Sequence, residues 1–306
     1  MKFNLAARPP FNFRSVIQSH GWVQLAPYGY EEATATFTYI DRLSSGRIIE
    51  YRISEAATGI TLETPSLTKP EQAEAKQKAA WMFALDADFS AFYKVARKEP
   101  KLRRAASLAR GRLLRSPTLF EDVIKTILTT NTLWGATKRM TLNLIEQFGE
   151  PLTGNLDTLA TNARSSTTQT NRAFPTPEAI AASSPDVLKE KVRVGYRAPA
   201  IHELAVKIAS GQFDLEALKT STLPTLELRK ELLKLNGVGP YAAANLLLIL
   251  GRSDFIPVDS WALKLVSHEW YRGKPITGKE VEKRFEKWGE FKGFAFWFWD
   301  WKYTGN

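Results

Sequence analysis

The chain has 306 residues, of which 44% are hydrophobic and 24% are charged, a composition typical of a folded globular protein. Its net charge of +10 favours a polyanionic partner, nucleic acid first and an anionic membrane surface second. The chain has no cysteine, which excludes disulfides, thiolate zinc sites, a cysteine nucleophile and a cysteine-ligated iron–sulfur cluster. The three histidines are too widely separated in sequence to suggest a metal site.

The first ten residues, MKFNLAARPP, lack the apolar core of a secretory signal, and no stretch approaches the ~18 apolar residues of a membrane span. We therefore expect no membrane partner. We expect a cytoplasmic, nucleoid-associated protein in a bacterium or archaeon, or a nuclear protein in a eukaryote, acting as a monomer.

Three segments in the first part of the chain predict β-strands, because they are rich in Thr, Ile, Tyr and Phe and are separated by SSG and ATG turn signals. They read ATATFTYI, RIIEYRIS and GITLET, and FRSVIQSHGW before them predicts a short helix. We expect residues 1–75 to form an antiparallel β domain.

Residues 76–306 carry apolar residues at helical spacing and predict a helical region, so the fold class is mainly α with an N-terminal β domain, α+β overall. FEDVIKTILTTNTLWGATKRMTLNLIEQFG predicts two helices with a break near TTNT. Residues 153–175 are polar and rich in Thr, Ser and Asn, which predicts a linker between helical segments.

Residues 235–248, LNGVGPYAAANLLL, predict a tight corner between two helices. Gly237 and Gly239 permit unusual backbone angles, and Pro240 suits the first position of a helix. Such a turn leaves backbone N–H groups available beside a helix N-terminus, where they suit a phosphate oxygen. A plain helix–helix connection would have the same sequence, and turn chemistry alone leaves both interpretations open.

The corner followed by IPVDSWA resembles the helix-hairpin-helix and catalytic aspartate signature of the HhH-GPD DNA glycosylase superfamily. The resemblance covers nearly the whole chain and is strongest from about residue 110. RLLRSPTLFEDVIKTIL, FPTPEAIAA, VGYRAPAIHELA and WGEFKGFAFWFW resemble family segments in the same order, and PPFNF with the strand-rich start is similar to 3-methyladenine DNA glycosylase II and 8-oxoguanine DNA glycosylase.

The resemblance implies two helical lobes with a cleft between them and a partner in double-stranded DNA containing a damaged base. It implies that Gly237, Val238 and Gly239 contact the DNA backbone. It also implies a monovalent cation, Na⁺ or K⁺, at hairpin carbonyls, with Leu235 and Val238 as candidates; no other cofactor or metal is expected.

Asp259 precedes the predicted helix SWALKLVSHEW, where aspartate is a favoured N-cap. The resemblance makes Asp259 the catalytic residue, and the two roles are compatible. Breaking the bond between a base and deoxyribose builds positive charge on the sugar, which a fixed carboxylate stabilises while it orients or deprotonates water.

Family members that also cut the strand carry a lysine in the second hairpin helix, which forms a Schiff base with the sugar. At the corresponding position the chain has Tyr241, and Lys234 lies on the other side of the corner. We therefore expect a monofunctional enzyme without lyase activity. The Tyr241 ring either stacks on the extruded base or packs in the protein, and both interpretations remain open.

A glycosylase extrudes its target nucleotide and fills the gap it leaves. The resemblance assigns this role to TTNTLWGA, with Asn131 as the wedge and Leu133 as the other candidate. Trp134 either lines the base pocket or packs in the core, and the apolar helix beside it favours the core.

FKGFAFWFWDW is aromatic on every side of a helical wheel, so most of its rings are core, while one or two meet the base. Trp297, Trp299 and Asp300 are the candidates. Alkylation-repair relatives place a tryptophan where this chain has Asp300, which weakens any transfer of substrate preference.

Lys138 and Arg197 are the candidates for phosphate contacts, because Lys138 follows the wedge loop and Arg197 begins a helix.

The favoured function is removal of alkylated purines such as 3-methyladenine. The alternatives are a glycosylase for oxidised or deaminated bases and a DNA-damage-binding protein without turnover.

Overall fold

The structure, a computed structural model, describes residues 1–153 and 170–303. Most of the predicted linker lies outside the described residues. Within those two ranges, no helix is both long enough and apolar enough to cross a membrane.

The N-terminal part forms a five-stranded antiparallel sheet with strand order β1-β5-β4-β3-β2. Its strands are β1 (Lys2–Ala6), β2 (Tyr28–Glu31), β3 (Thr36–Arg42), β4 (Ile48–Ala56) and β5 (Gly59–Glu63). β4 buries alternate residues, Ile49, Tyr51 and Ile53, as expected when one face of a sheet covers a core. The sequence did not indicate β1 and β2, because KFNLA and YGYE lack the β-branched residues that mark the three predicted strands.

The remaining elements are mainly α-helices. The first group is α1 (Phe13–Ile17), α2 (Lys69–Met82), α3 (Ser90–Ala96), α4 (Arg103–Ser107), α5 (Leu119–Thr129), α6 (Trp134–Phe148) and α7 (Pro177–Ala181). The second group is α8 (Pro185–Val187), α9 (Ala198–Ala209), α10 (Thr225–Leu233), α11 (Pro240–Ile249), α12 (Ser260–Trp270), α13 (Gly278–Phe285) and α14 (Lys292–Trp297). A π-helical turn, Leu188–Val192, follows α8, and 3-10 helices cover Gly21–Gln24, Pro100–Leu102, Gly195–Arg197, Glu216–Thr220 and Glu286–Phe291.

Two clusters of buried side chains define the predicted helical lobes. The larger cluster joins the inner face of the sheet to α1, α2, α5, α6 and α9–α11. The smaller, strongly aromatic cluster joins α3 and α4 to α12–α14. The predicted domain boundary between residues 75 and 76 falls within α2. The mainly α fold with an N-terminal antiparallel sheet is confirmed.

Local sequence signals place the elements around the cleft. Thr118 caps α5 by accepting the Glu121 N–H at 3.3 Å, and the predicted break at TTNT is the loop between α5 and α6. The predicted corner is the turn between α10 and α11. Both loops and the start of α12 face the same groove.

Candidate active site

The turn between α10 and α11 depends on one glycine in a left-handed conformation. Gly237 has φ +83°, and a Cβ there would lie 3.0 Å from the Ala200 Cβ, so a side chain is disfavoured by both backbone and packing. Gly239, in contrast, has φ −88° and ψ −175° and is the N-cap of α11, so the prediction of an unusual backbone angle at Gly239 is wrong. Pro240 is the first residue of α11, as predicted.

The turn offers two backbone donors to a ligand. Gly237 and Gly239 are exposed, and in the described chain their N–H groups donate no hydrogen bond. The Val238 N–H instead donates to the Leu235 carbonyl at 3.0 Å and is not a third donor, while a contact between Val238 and the DNA backbone stays a prediction. A carbonyl has a second lone pair, so a cation at Leu235 and Val238 remains a prediction.

Asp259 is the N-cap of α12, and its Oδ1 accepts the Ala262 N–H at 2.7 Å. The side chain is half-buried. The single hydrogen bond to the Ala262 N–H leaves the carboxylate further acceptor capacity. Capping therefore fixes the orientation of a carboxylate that can still contact a ligand.

Asp259 lies where two concavities meet. The first is a cavity of about 550 Å³, here called the aromatic cavity. It is lined by His20, Gly21, Trp22, Leu113, Thr129, Thr132, Trp134, Thr137, Tyr241, Asn245, Ile249, Asp259, Trp261 and Trp297. The second is a groove of about 980 Å³ along the α5–α6 loop and the α10–α11 turn. Thr129, Thr132, Tyr241 and Asp259 line both concavities.

Tyr241 is half-buried and contributes to the wall beside Asp259. Burial raises the pKa of the Tyr241 phenol, and the Asp259 charge raises it further. The hydroxyl of Thr129 and the amide of Asn245 offset part of this effect. The ring therefore lies in the cavity as a neutral phenol near the carboxylate.

Two of the predicted tryptophans line the aromatic cavity. Trp134 is half-buried, its indole N–H donates to Gln24 Oε1 at 2.9 Å, and its ring occupies the space that a side chain on Gly21 would take. Trp134 therefore lines the cavity and also packs against the larger core, so each of the two interpretations holds in part. Trp297, one of the three pocket candidates, donates its indole N–H to the Ser19 carbonyl at 2.9 Å and lines the cavity.

Trp299 and Asp300 do not line the aromatic cavity, so both predicted pocket positions are wrong. Trp299 is buried among the aromatic side chains of the smaller core. Asp300 is exposed, lies 3.6 Å from the Arg104 guanidinium, and accepts from Lys101 through its backbone carbonyl at 2.7 Å. Both residues follow the end of α14, whose last residue is Trp297.

The α5–α6 loop presents exposed side chains to the groove. Asn131 is exposed with φ +46°, and its amide lies 3.4 Å from the Tyr196 hydroxyl. Leu133 is 83% exposed and Tyr196 is 65% exposed, an unusual degree for large apolar side chains. Sequence reasoning missed Tyr196, although it stands directly before Arg197 in a segment that had been singled out.

Arg197 does not face the groove. It is 6% exposed, and its guanidinium donates to the carbonyls of Ile127, Thr130 and Val194. The prediction of a phosphate contact is wrong, because the end of α5 leaves carbonyl groups that need donors. Lys138 is half-buried on α6, and its role as a phosphate contact stays a prediction.

The N-terminal segment supplies the floor of the aromatic cavity, which sequence reasoning also missed. His20 lies 2.7 Å from the Leu114 carbonyl, and burial lowers its pKa to about 4, so the ring is neutral at pH 7. Trp22 donates its indole N–H to Asp122 at 2.8 Å. The only sequence signal for this part of the cavity is that His20 and Trp22 stand two positions apart in HGW.

The site combines an exposed glycine turn with a capping aspartate beside an aromatic cavity. These features are typical of helix-hairpin-helix proteins of base excision repair. A family model described as HhH-GPD superfamily base excision DNA repair protein matches residues 124–291, more than half of the chain. The chain belongs to this superfamily.

The relatives include an N-glycosylase/DNA lyase of Saccharomyces cerevisiae, 24% identical over 208 residues. The match covers 58% of this chain and 52% of that protein, so the chain spans about half the length of the curated relative it matches.

Solved structures share the fold over almost the whole chain. The 3-methyladenine DNA glycosylase from Archaeoglobus fulgidus has a TM-score of 0.72 at 19% identity and covers 97% of both chains. MBOgg1 in complex with a low affinity DNA ligand has a TM-score of 0.71 at 24% identity, covering 97% of this chain and 92% of that chain. An 8-oxoguanine glycosylase/lyase from Clostridium acetobutylicum, bound to DNA with cytosine opposite 8-oxoguanine, has a TM-score of 0.69 at 21% identity, covering 94% and 90%.

Proposed function

We propose that the chain is a monofunctional DNA glycosylase of base excision repair, which hydrolyses the N-glycosidic bond of a flipped, damaged base and leaves an abasic site. The observation that carries the proposal is the position of Asp259 at the junction of the aromatic cavity and the groove. A base in the cavity and its strand in the groove place the connecting sugar beside this carboxylate.

The reaction follows from the charge at this junction. As the bond from C1′ to the base breaks, the bonding electrons leave with the base and positive charge develops on the sugar. The Asp259 carboxylate, held by the Ala262 N–H, stabilises that charge without having to reorganise. Water then adds to C1′, and the same carboxylate can accept its proton.

The lining of the aromatic cavity supports an alkylated purine such as 3-methyladenine as the substrate. Trp134, Trp297 and Tyr241 contribute aromatic rings, and no lysine or arginine is among the described lining residues. His20 is neutral because its pKa is lowered to about 4. A purine methylated at N3 or N7 carries a positive charge, which aromatic rings and the Asp259 carboxylate attract.

Double-stranded DNA is the proposed partner, bound by one monomer through the groove. The exposed N–H groups of Gly237 and Gly239 suit phosphate oxygens at the start of α11. The excess positive charge of the chain favours the same polyanion. The exposed side chain of Leu133, in the same loop as Asn131, suits the space that an extruded nucleotide leaves.

Tyr241 is the basis for proposing that the enzyme lacks lyase activity, because a phenol cannot form a Schiff base with the sugar. Lys234 also borders the groove, but its amine forms an ion pair with Glu231 at 2.7 Å. The proposed product is therefore an intact strand with an abasic site.

A panel of DNA duplexes, each with one defined lesion, tests the proposal. We expect base release from alkylated purines and strand breakage only after treatment with alkali. Binding of lesion DNA without release of any base would contradict enzymatic activity and support a damage-binding protein. Release of oxidised or deaminated bases with no release of alkylated purines would contradict the proposed substrate class alone.

A further inference from the structure

Part of the lining of the aromatic cavity is polar. Thr129, Tyr241 and Asn245 lie together in this part, since the Tyr241 phenol interacts with both the Thr129 hydroxyl and the Asn245 amide. Aromatic rings and aliphatic side chains supply most of the remaining lining. A base in the cavity can therefore form hydrogen bonds with this part of the lining, while the rings contact its faces.

The orientation of the Asn245 amide is fixed by its neighbour one helical turn earlier. Its Nδ2 donates to the Tyr241 backbone carbonyl at 3.2 Å. A carbonyl oxygen only accepts hydrogen bonds, so the amide nitrogen must be on that side and Oδ1 on the other. Within the described residues, Oδ1 accepts no hydrogen bond.

Two of the three threonine hydroxyls that line the cavity already donate to backbone carbonyls. Thr129 Oγ1 donates to the Thr126 carbonyl at 2.7 Å, and Thr137 Oγ1 donates to the Leu128 carbonyl at 3.2 Å. Asn245 Oδ1 is thus a strong acceptor that awaits a donor from a ligand, and leaving it unpaired inside a filled cavity is costly.

We propose that Asn245 is the specificity-determining residue of the cavity, and that its Oδ1 accepts a hydrogen bond from the exocyclic amine of an adenine-derived, N-alkylated base. A purine with an oxygen at C6 would place a second acceptor against Oδ1, which leaves both unpaired. The inference rests on the proposed function and deepens it, because it selects 3-methyladenine over 7-methylguanine although both are positively charged.

Methylated duplex DNA tests the inference in one reaction, because it contains both bases. The bases released by the full-length protein are separated by chromatography, and the single-turnover rates for 3-methyladenine and 7-methylguanine are compared as a ratio. We expect Asn245→Leu, which removes the acceptor at similar volume, to lower this ratio about tenfold, the effect of one hydrogen bond to a buried group. Asn245→Asp, which keeps an acceptor at this position, should retain the wild-type preference.

Asn143→Leu is the matched control. Asn143 is also a half-buried helical asparagine whose Nδ2 donates to a backbone carbonyl, that of Val192 at 3.1 Å, but it does not line the aromatic cavity. Its ratio should equal that of the wild type. Thermal unfolding of each variant separates loss of folding from loss of discrimination.

The outcomes distinguish the inference from the proposed function. A wild-type protein that releases no base from any substrate overturns the proposed function. A wild-type protein that releases both bases, with a ratio that Asn245→Leu leaves unchanged, overturns only the role of Asn245. A wild-type preference for 7-methylguanine also overturns the inference and leaves the proposed glycosylase activity intact.

Discussion

Tyr241 and Asp259 lie together at the boundary between the aromatic cavity and the groove, although 18 positions separate them in sequence and they belong to different helices. Burial raises the pKa of the Tyr241 phenol, and the charge of Asp259 raises it further because the two side chains are close. In the proposed reaction, the carboxylate faces the sugar while the phenol occupies the position of the lysine that lyases use.

Replacing Asp259 by asparagine should abolish excision and preserve DNA binding. Asparagine also caps helices well, so α12 should remain folded. The negative charge beside the sugar is lost, which should reduce the single-turnover rate by at least about 10²-fold. Asp254→Asn is the control, because Asp254 lies in the same loop but does not line either concavity. Excision that survives in Asp259→Asn would remove the carboxylate from its proposed role.

Sodium borohydride should trap no covalent complex between the wild-type protein and lesion DNA, because Tyr241 cannot form an imine. Tyr241→Lys, which provides an amine at this position, is the comparison variant. Trapping is read as a band of protein joined to DNA on a denaturing gel. A band with the wild type that disappears in Lys234→Ala would contradict the proposal and identify Lys234 as a nucleophile.

Leu133→Ala should slow excision from duplex DNA by roughly tenfold, because an exposed apolar wedge stabilises the extruded state of the nucleotide. Its stability should be unchanged, since the side chain is 83% exposed. A single-stranded substrate needs no wedge and should show a smaller defect. Leu226→Ala is the control, because Leu226 is also exposed, at 53%, but lies near the start of α10 and not in the α5–α6 loop. Equal defects on both substrates would contradict the wedge role.

Arg197→Ala should affect the stability of the protein, whereas Lys138→Ala should affect DNA binding. Arg197→Ala removes three hydrogen bonds from a buried guanidinium to the carbonyls of Ile127, Thr130 and Val194, and should lower the free energy of unfolding by roughly 2–4 kcal/mol. Lys138→Ala should leave stability unchanged and reduce the salt dependence of DNA binding by about one ion. Chemical denaturation and binding at several salt concentrations measure the two effects. A reduced salt slope in Arg197→Ala with normal stability would contradict the structural role.

Asp122→Asn should gain stability relative to the wild type as the pH rises. Burial raises the pKa of the Asp122 carboxyl to about 7, whereas an unfolded aspartate titrates near ~4. The contribution of Asp122 to stability is therefore fully present below the unfolded pKa and is lost as the pH rises through the folded pKa. His20, with its pKa lowered to about 4, acts in the opposite direction over a similar range. Because His20 is present in both proteins, its contribution cancels in the difference in free energy of unfolding between the variant and the wild type. A difference that does not change with pH would contradict the prediction.

Features that depend on neighbouring residues could be predicted from the sequence. The α10–α11 turn, the capping position of Asp259 and the break between α5 and α6 are all where their local signals indicate. Each depends on backbone conformation or on hydrogen bonds within a few positions. The family resemblance indicated which of these local features belong to the same site.

Features that depend on burial could not be predicted in this way. Arg197 has the charge of a phosphate contact, but its guanidinium is enclosed by carbonyls from the end of α5, 70 positions away in the case of Ile127. Trp297 and Trp299 are two residues apart and chemically identical, yet one lines the aromatic cavity and the other is buried in the smaller core.

The sequence alone determined the chemistry available to the protein: a carboxylate at a helix start, a glycine turn, a tyrosine where lyases have lysine, and no thiol. The tertiary structure decided which side chains share the cavity, because contacts such as that between Trp297 and Ser19 join positions 278 residues apart. It also decided that Asn245 lines the cavity and that its Oδ1 accepts no hydrogen bond within the described residues. The direction of a side chain follows from how helices pack and not from the residues beside it in the chain.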